Sequence, residues 1–152
     1  MKNNGYIITL EVNEEEQRTV ITQLETETLW IDEMIEKVEC SIVDIKDGCK
    51  KFKELLGFEI CLVFDDEFLL NNAPIINKPA SLLFGYSVNH SEVLCGNVII
   101  AKNGYDEEGE CFTVGLTEEE LFKTITLLMS LNKVIDDVAF IKHQAKFEII
   151  SY

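Results

Sequence analysis

Apolar and polar residues change their spacing several times along the chain, and each change predicts an element. Tyr6 to Val12 (Y-I-I-T-L-E-V) alternates with a period of two, and Arg18 to Leu24 (R-T-V-I-T-Q-L) follows it. These two runs read as a β-hairpin around the polar stretch Asn13 to Gln17. Leu29, Trp30, Met34 and Val38 then recur at near-helical intervals, predicting a short helix over Thr28 to Val38. Ser41 to Ile45 is β-branched and strand-like. Asp47 is placed to cap a following helix in which Cys49, Phe52, Leu55 and Leu56 share one face, and Gly57 offers a left-handed stop.

Phe58 to Phe64 (F-E-I-C-L-V-F) is rich in aromatic and β-branched residues and is halted by Asp65-Asp66, so it reads as a strand in the middle of a sheet. Asn71-Asn72-Ala73-Pro74 is a turn signature. A less regular stretch follows to Asn89, then a strand over Val93 to Ala101, a turn-rich segment Asn103 to Glu110, and a return strand Cys111 to Val114 that pairs back as a hairpin. Thr117-Glu118-Glu119-Glu120 has the form of a capping box, in which the threonine hydroxyl accepts the Glu120 N–H and the Glu120 carboxylate reaches back. The helix it opens has Leu121, Phe122, Ile125, Leu128 and Met129 as its expected buried stripe, with the three glutamates at the positive end of its dipole. Ala145 to Ser151 alternates again and predicts a final strand.

No internal repeat and no linker interrupts this order. The expected fold is a single α+β domain over residues 1–152, with a mostly antiparallel sheet and two or three helices. Residues 1–27 form an N-terminal hairpin added to the rest. A length of 152 residues with 47% hydrophobic content suffices for one core.

Charge is the most unusual feature of the composition. There are 28 acidic against 13 basic residues, and Arg18 is the only arginine, for a formal net charge of -15. A phosphate backbone or an anionic membrane surface repels such a chain, so neither nucleic acid nor membrane is an expected partner. Net charge of this size favours solubility, and it also attracts a basic partner. The five cysteines have no tight spacing, and no secretory leader or spanning apolar run is evident. Reduced thiols in the cytoplasm are therefore expected.

Patterns that carry catalysis are sparse. Cys49 has Lys50 and Lys51 beside it, but its spacing to Phe52 puts it on an apolar face, where a thiol packs rather than reacts. No C-x-x-C pair, H-E-x-x-H, calcium loop or Gly-rich phosphate cradle occurs, so neither a metal nor a cofactor is expected. Carboxylates are abundant, and sequence does not separate a catalytic one from a solvated face.

From about Ile42 to Leu131 the order of elements resembles a family of short phage- and plasmid-encoded proteins known only as a domain of unknown function. The similar features are the strand ending C-L-V-F (Cys61 to Phe64), the acidic D-D-E that follows (Asp65 to Glu67), and a leucine and a proline-containing turn before Asn-Lys. Here these last are Leu70, Asn72, Pro74 and Asn77-Lys78. Also similar are the glycine-bearing strand V-L-C-G-N-V-I-I (Val93 to Ile100) and the helix start L-T-E-E-E-L (Leu116 to Leu121). The resemblance carries no catalytic residue; it implies a mobile element in a bacterial cell.

Three functions are compatible with this reading. The first is a non-enzymatic inhibitor that counters host defence by occupying a basic surface of a defence protein. Its candidate face is Asp65, Asp66 and Glu67 with Asp106, Glu107, Glu108 and Glu110, since both clusters lie at strand ends. The second is a sequestering protein for a nucleotide immune signal, with Asn71, Asn72, Asn77, Lys78, Phe84 and Tyr86 supplying donors and rings from one irregular stretch. The third is a small hydrolase. Apolar residues outside the stripes, such as Ile75 and Ile76, leave room for a symmetric dimer.

Overall fold

The computed structural model describes residues 5–26, 28–67, 75–85 and 93–132. Its elements are β1 (Tyr6–Val12), β2 (Gln17–Gln23), α1 (Ile31–Val38), β3 (Val43–Asp47), α2 (Lys50–Leu56), β4 (Ile60–Asp65), α3 (Lys78–Phe84), β5 (Val98–Tyr105), β6 (Cys111–Val114) and α4 (Glu118–Asn132). The strands form one six-stranded sheet in the order β2-β1-β5-β4-β3, with β6 paired to β5. Every strand pairing is antiparallel. The domain is α+β, with four helices among the described residues rather than two or three.

Helices cover both faces of the sheet, and this explains the unbroken apolar runs in β4 and β5. Ile60, Leu62 and Phe64 of β4 and Val98 and Ile100 of β5 join Ile8 and Leu10 of β1 on one face. There they meet Phe52 and Leu56 of α2, Ala80 and Leu83 of α3, and Leu128 of α4. The alternate residues Cys61, Val63, Ile99 and Ala101 pack on the other face with Met34 and Val38 of α1. A strand with two dry faces has no polar side to show, so alternation disappears where burial is deepest.

Several boundaries differ from expectation. The strand expected over Val93 to Ala101 begins at Val98; before it, Cys95 makes only an isolated bridge with Ile76. Thr28 belongs not to α1 but to a bridge with Val114, and α1 starts at Ile31 after an extended Trp30. Cys49, not Asp47, occupies the cap position of α2, with no side-chain bond; Asp47 closes β3. Leu55 faces solvent, 66% exposed, away from the buried Phe52 and Leu56. Gly57 does end α2 in the left-handed region, at φ 84°.

The irregular stretch contains a helix that periodicity missed. α3 is short, and its Pro79 resembles a turn residue, but Pro is compatible with a helix's first turn and Asn77 caps it. Asn77 is fully buried: its Oδ1 accepts the Ala80 N–H at 3.3 Å, and its Nδ2 donates to the carbonyls of Leu10 and Gly96, both at 2.9 Å.

The capping box of α4 is present, with Thr117 N–H donating to Glu120 Oε1 at 2.9 Å and Glu120 N–H to Thr117 Oγ1 at 3.2 Å. The stripe is narrower than expected. Leu128 is buried and Leu121 and Ile125 pack on the core, whereas Phe122 and Met129 are 75% and 62% exposed. Among the described residues no helix is long and apolar enough to cross a membrane. The expected turn at residues 71–74 and the strand expected over Ala145 to Ser151 lie outside the described residues.

Candidate functional site

The antiparallel register of β4 and β5 decides which acidic residues share a surface. Ile60 pairs with Lys102 and Val63 with Ile99, so the end of β4 lies beside the start of β5. Asp65, Asp66 and Glu67 leave the sheet at that end, whereas Asp106 to Glu110 leave it at the other, where β5 turns into β6. At the rise of an extended strand the clusters stand roughly 30 Å apart. The seven carboxylates expected to form one face therefore form two, at opposite ends of the sheet.

The first of these clusters is tied into the fold. Asp65 accepts the Glu67 N–H at 2.8 Å, and the Asp66 N–H donates to the Ile42 carbonyl at 3.0 Å. The second cluster is a self-capped turn: Asp106 accepts the N–H groups of Glu108 and Glu110 at 2.9 and 2.8 Å, and Gly109 takes a positive φ of 84°. Asp106 is thus spent on holding the loop, while the exposed Glu107, Glu108 and Glu110 project from it.

Beside this turn the sheet itself adds functional groups that sequence reasoning did not single out. Tyr105, 69% exposed, pairs with Cys111 across the β5–β6 ladder. Cys111 first, then desolvation and the carboxylates of Glu59 and Asp47, hold its phenol above the ordinary value. Asp47 accepts the Asn103 side-chain amide at 2.8 Å, and Glu59 pairs with Lys53 at 3.0 Å. The only local signal was the change from apolar to polar at Asn103 and Tyr105 in β5. That Asp47 of β3 lies within reach follows from strand order, which sequence does not display.

The nucleotide-site candidates are scattered differently. Asn77 is committed to the cap described above, and Phe84 packs edge-on against Phe64 with ring centroids 6.1 Å apart. Lys78 opens α3 and is half-buried. Asn71, Asn72 and Tyr86 lie outside the described residues. An open depression at the start of α4 is lined by Thr117, Glu118, Glu119 and Phe122, a second place where carboxylates and an exposed ring meet.

The thiols are poor nucleophiles where they are buried. Burial, with Asp47 and Cys111 adding to it, pushes the Cys61 thiol up to about 12, and burial alone pushes Cys95 up to about 12. Burial and Asp65 raise Cys40. A thiol held protonated at neutral pH neither attacks nor binds a metal readily. Among the described residues no three His, Cys, Asp or Glu side chains converge as a metal site. Comparison with family models, with curated proteins and with solved structures finds no match for the chain.

Proposed function

We propose that this chain acts by binding, as a non-enzymatic acidic protein that occupies a basic surface of another protein through the sheet end bearing Tyr105 and the 106–110 turn. The observation that carries this reading is the exposed phenol ring of Tyr105 at the sheet end where β3 closes on Asp47, bonded to Asn103, and β4 opens after Glu59, with the acidic turn directly after it. Carboxylates draw in a guanidinium or ammonium group over a distance, and an aromatic face then holds it at contact. An electrostatic site of this kind gives fast association that weakens with salt.

The resemblance to phage- and plasmid-encoded proteins supports placing the partner among host defence proteins, where a groove built for nucleic acid offers the required positive charge. The protein then acts as a counter-defence inhibitor in the bacterial cytoplasm. The test is capture from a bacterial lysate at low and at high salt, with wild type beside the double variant Glu107→Lys/Glu108→Lys. The expected result is a basic protein retained by wild type at low salt, released at high salt, and not retained by the variant. Equal retention by the two chains would remove this end of the sheet from the interface.

A further inference from the structure

The sheet has two outer edges that differ in their protection against strand pairing. At one edge, β3 is five residues long and carries Asp44, Lys46 and Asp47. Short length and alternating charge are the usual devices that keep another strand from adding. At the other, β2 runs seven residues as Q-R-T-V-I-T-Q, with no proline and one charge. That charge is already met, since Arg18 forms an ion pair with Glu11 of its own hairpin. Off this path, the free side of β6 is partly covered by the Thr28 bridge to Val114 and by the Leu29 N–H donating to the Thr113 carbonyl.

The ladder fixes which β2 groups face outward. The Asn13 N–H donates to the Glu16 carbonyl at the hairpin end, and the Leu24 N–H to the Gly5 carbonyl at the other. In an antiparallel pair the bonded residues alternate, so Arg18, Val20 and Thr22 turn their backbone groups toward β1. Those of Gln17, Thr19, Ile21 and Gln23 point away from the sheet. Among the described residues nothing pairs with them, and Ile21 is 49% exposed.

We infer that β2 is a self-association edge, on which a second copy of the chain adds its own β2 antiparallel to make one continuous sheet through two protomers. The register that uses the whole strand puts Val20 on the two-fold axis and Thr19 opposite the partner's Ile21. Gln17 then meets the partner's Gln23, and every outward N–H and carbonyl of the strand finds a mate. Arg18 faces the partner's Thr22, so no like charges meet across the strands. The occupant follows from charge: in a chain of net charge -15, residues 17–23 hold no acidic side chain. A second copy meets repulsion over most of the surface, and no carboxylate of the strand itself adds to it here. An antiparallel pairing of one strand with itself is two-fold symmetric, and two-fold dimers are the commonest closed assemblies.

Salt gives this contact a signature opposite to that of the basic partner proposed above, so the two readings stand or fall separately. Screening weakens attraction to a basic surface, but it relieves repulsion between two like-charged copies. The experiment is sedimentation and light scattering of the full chain over a range of concentrations, at low and high salt, with Thr19→Pro as the variant. Proline at 19 deletes an outward N–H that the β1–β2 ladder does not use, a position where edge strands tolerate it. The expected result is a mass that doubles with concentration, association strengthened by salt, and a dissociation constant raised roughly 100-fold by Thr19→Pro with its circular dichroism unchanged. Should that variant unfold, Ile21→Lys takes its place, since it adds a charge to the edge and leaves the backbone alone. Amide exchange at Thr19, Ile21 and Gln23 is expected to slow in the dimer. A wild type that keeps single-chain mass throughout, a variant that dimerises like wild type, or fast exchange at those amides in a dimer each overturns the inference. So does protection of the strand only when a different protein is added.

Discussion

The side-chain amide of Asn77 donates to the carbonyl of Leu10 at 2.9 Å, fastening the start of α3 to a strand 67 residues earlier in the chain. Its second amide hydrogen goes to Gly96 and its oxygen to the Ala80 N–H, so one fully buried side chain joins β1, α3 and the approach to β5. Ser81 extends the network, with its hydroxyl accepting the Leu94 N–H at 2.8 Å and donating to the Asn77 carbonyl at 2.7 Å.

Replacing Asn77 removes more than a cap. Asn77→Ala is expected to cost about 3 kcal/mol, combining a lost N-cap with two carbonyls deprived of a donor. Asn77→Asp keeps the cap acceptor but turns a carboxylate toward those same carbonyls, and is expected to be at least as harmful. Chemical denaturation of the two variants checks this. If aspartate rescued alanine, the cap alone would matter and the bonds to Leu10 and Gly96 would contribute little.

The bond between Lys102 and Glu120, 2.7 Å long and only partly exposed, predicts a defined acid sensitivity. Burial raises the Glu120 carboxyl, but the Lys102 ammonium and the Thr117 N–H and hydroxyl more than offset it and hold the group below its ordinary value of 4.5. A carboxyl lowered on folding contributes stability that is fully present above its ordinary value. That contribution drains away as pH falls from there through the depressed folded value. Glu120→Gln keeps a capping oxygen but leaves Lys102 without its counter-charge, at an expected cost of about 1–2 kcal/mol near neutrality. In acid below the ordinary carboxylate range the variant and wild type are expected to converge. Because protonating the other carboxylates relieves self-repulsion, the difference between the two chains is the quantity to measure, and a constant difference would refute the assignment.

How much of this was legible depends on how far each signal reaches along the chain. The β1–β2 hairpin, the capping box and the stop at Gly57 rest on neighbours within a few residues, and all three are present. α3 was hidden because seven residues with a proline give no helical period; the signature was instead Asn77 two residues ahead of Pro79. Phe122 and Met129 were expected in the core because apolar residues run almost all the way round α4, so the pattern did not single out the side that meets the sheet. The same limit misplaced the acidic face. Strand ends are visible in sequence, but which ends coincide is set by the antiparallel pairing of β4 with β5.

Where β1 and β6 meet on one side of β5, two glycines let the backbones touch. Tyr6 and Leu116 exchange hydrogen bonds at 2.8 and 2.7 Å, and a Cβ on Gly115 would lie 2.9 Å from the carbonyl carbon of Gly5 and the nitrogen of Tyr6. Those are backbone atoms that cannot swing aside. Gly115→Ala is expected to cost about 2–3 kcal/mol through this overpacking. Gly57→Ala, where the added carbon meets nothing within 4 Å, is expected to cost about 1 kcal/mol from its left-handed backbone alone. Thermal denaturation ranks the pair, and a milder effect at Gly115 would contradict the close approach.

At the proposed interface, the turn and its carboxylates have separable roles. Asp106 accepts two backbone N–H groups, so Asp106→Ala is expected to loosen the turn and to lower stability by about 1 kcal/mol. Glu107 and Glu108 are exposed and their reversal to lysine reduces the net negative charge, so the double variant is expected to melt at or slightly above the wild-type temperature. With an arginine-rich peptide as ligand, charge reversal is expected to slow association about tenfold at low salt and to flatten its salt dependence, with little change in dissociation. Tyr105→Ala removes the contact surface instead of the long-range field, so it is expected to speed dissociation and leave association nearly unchanged. Stopped-flow fluorescence with a labelled peptide separates the two rates. If Tyr105→Ala slowed association and spared dissociation, the ring would not be where the cation rests, and the interface would have to be sought at the Phe122 depression.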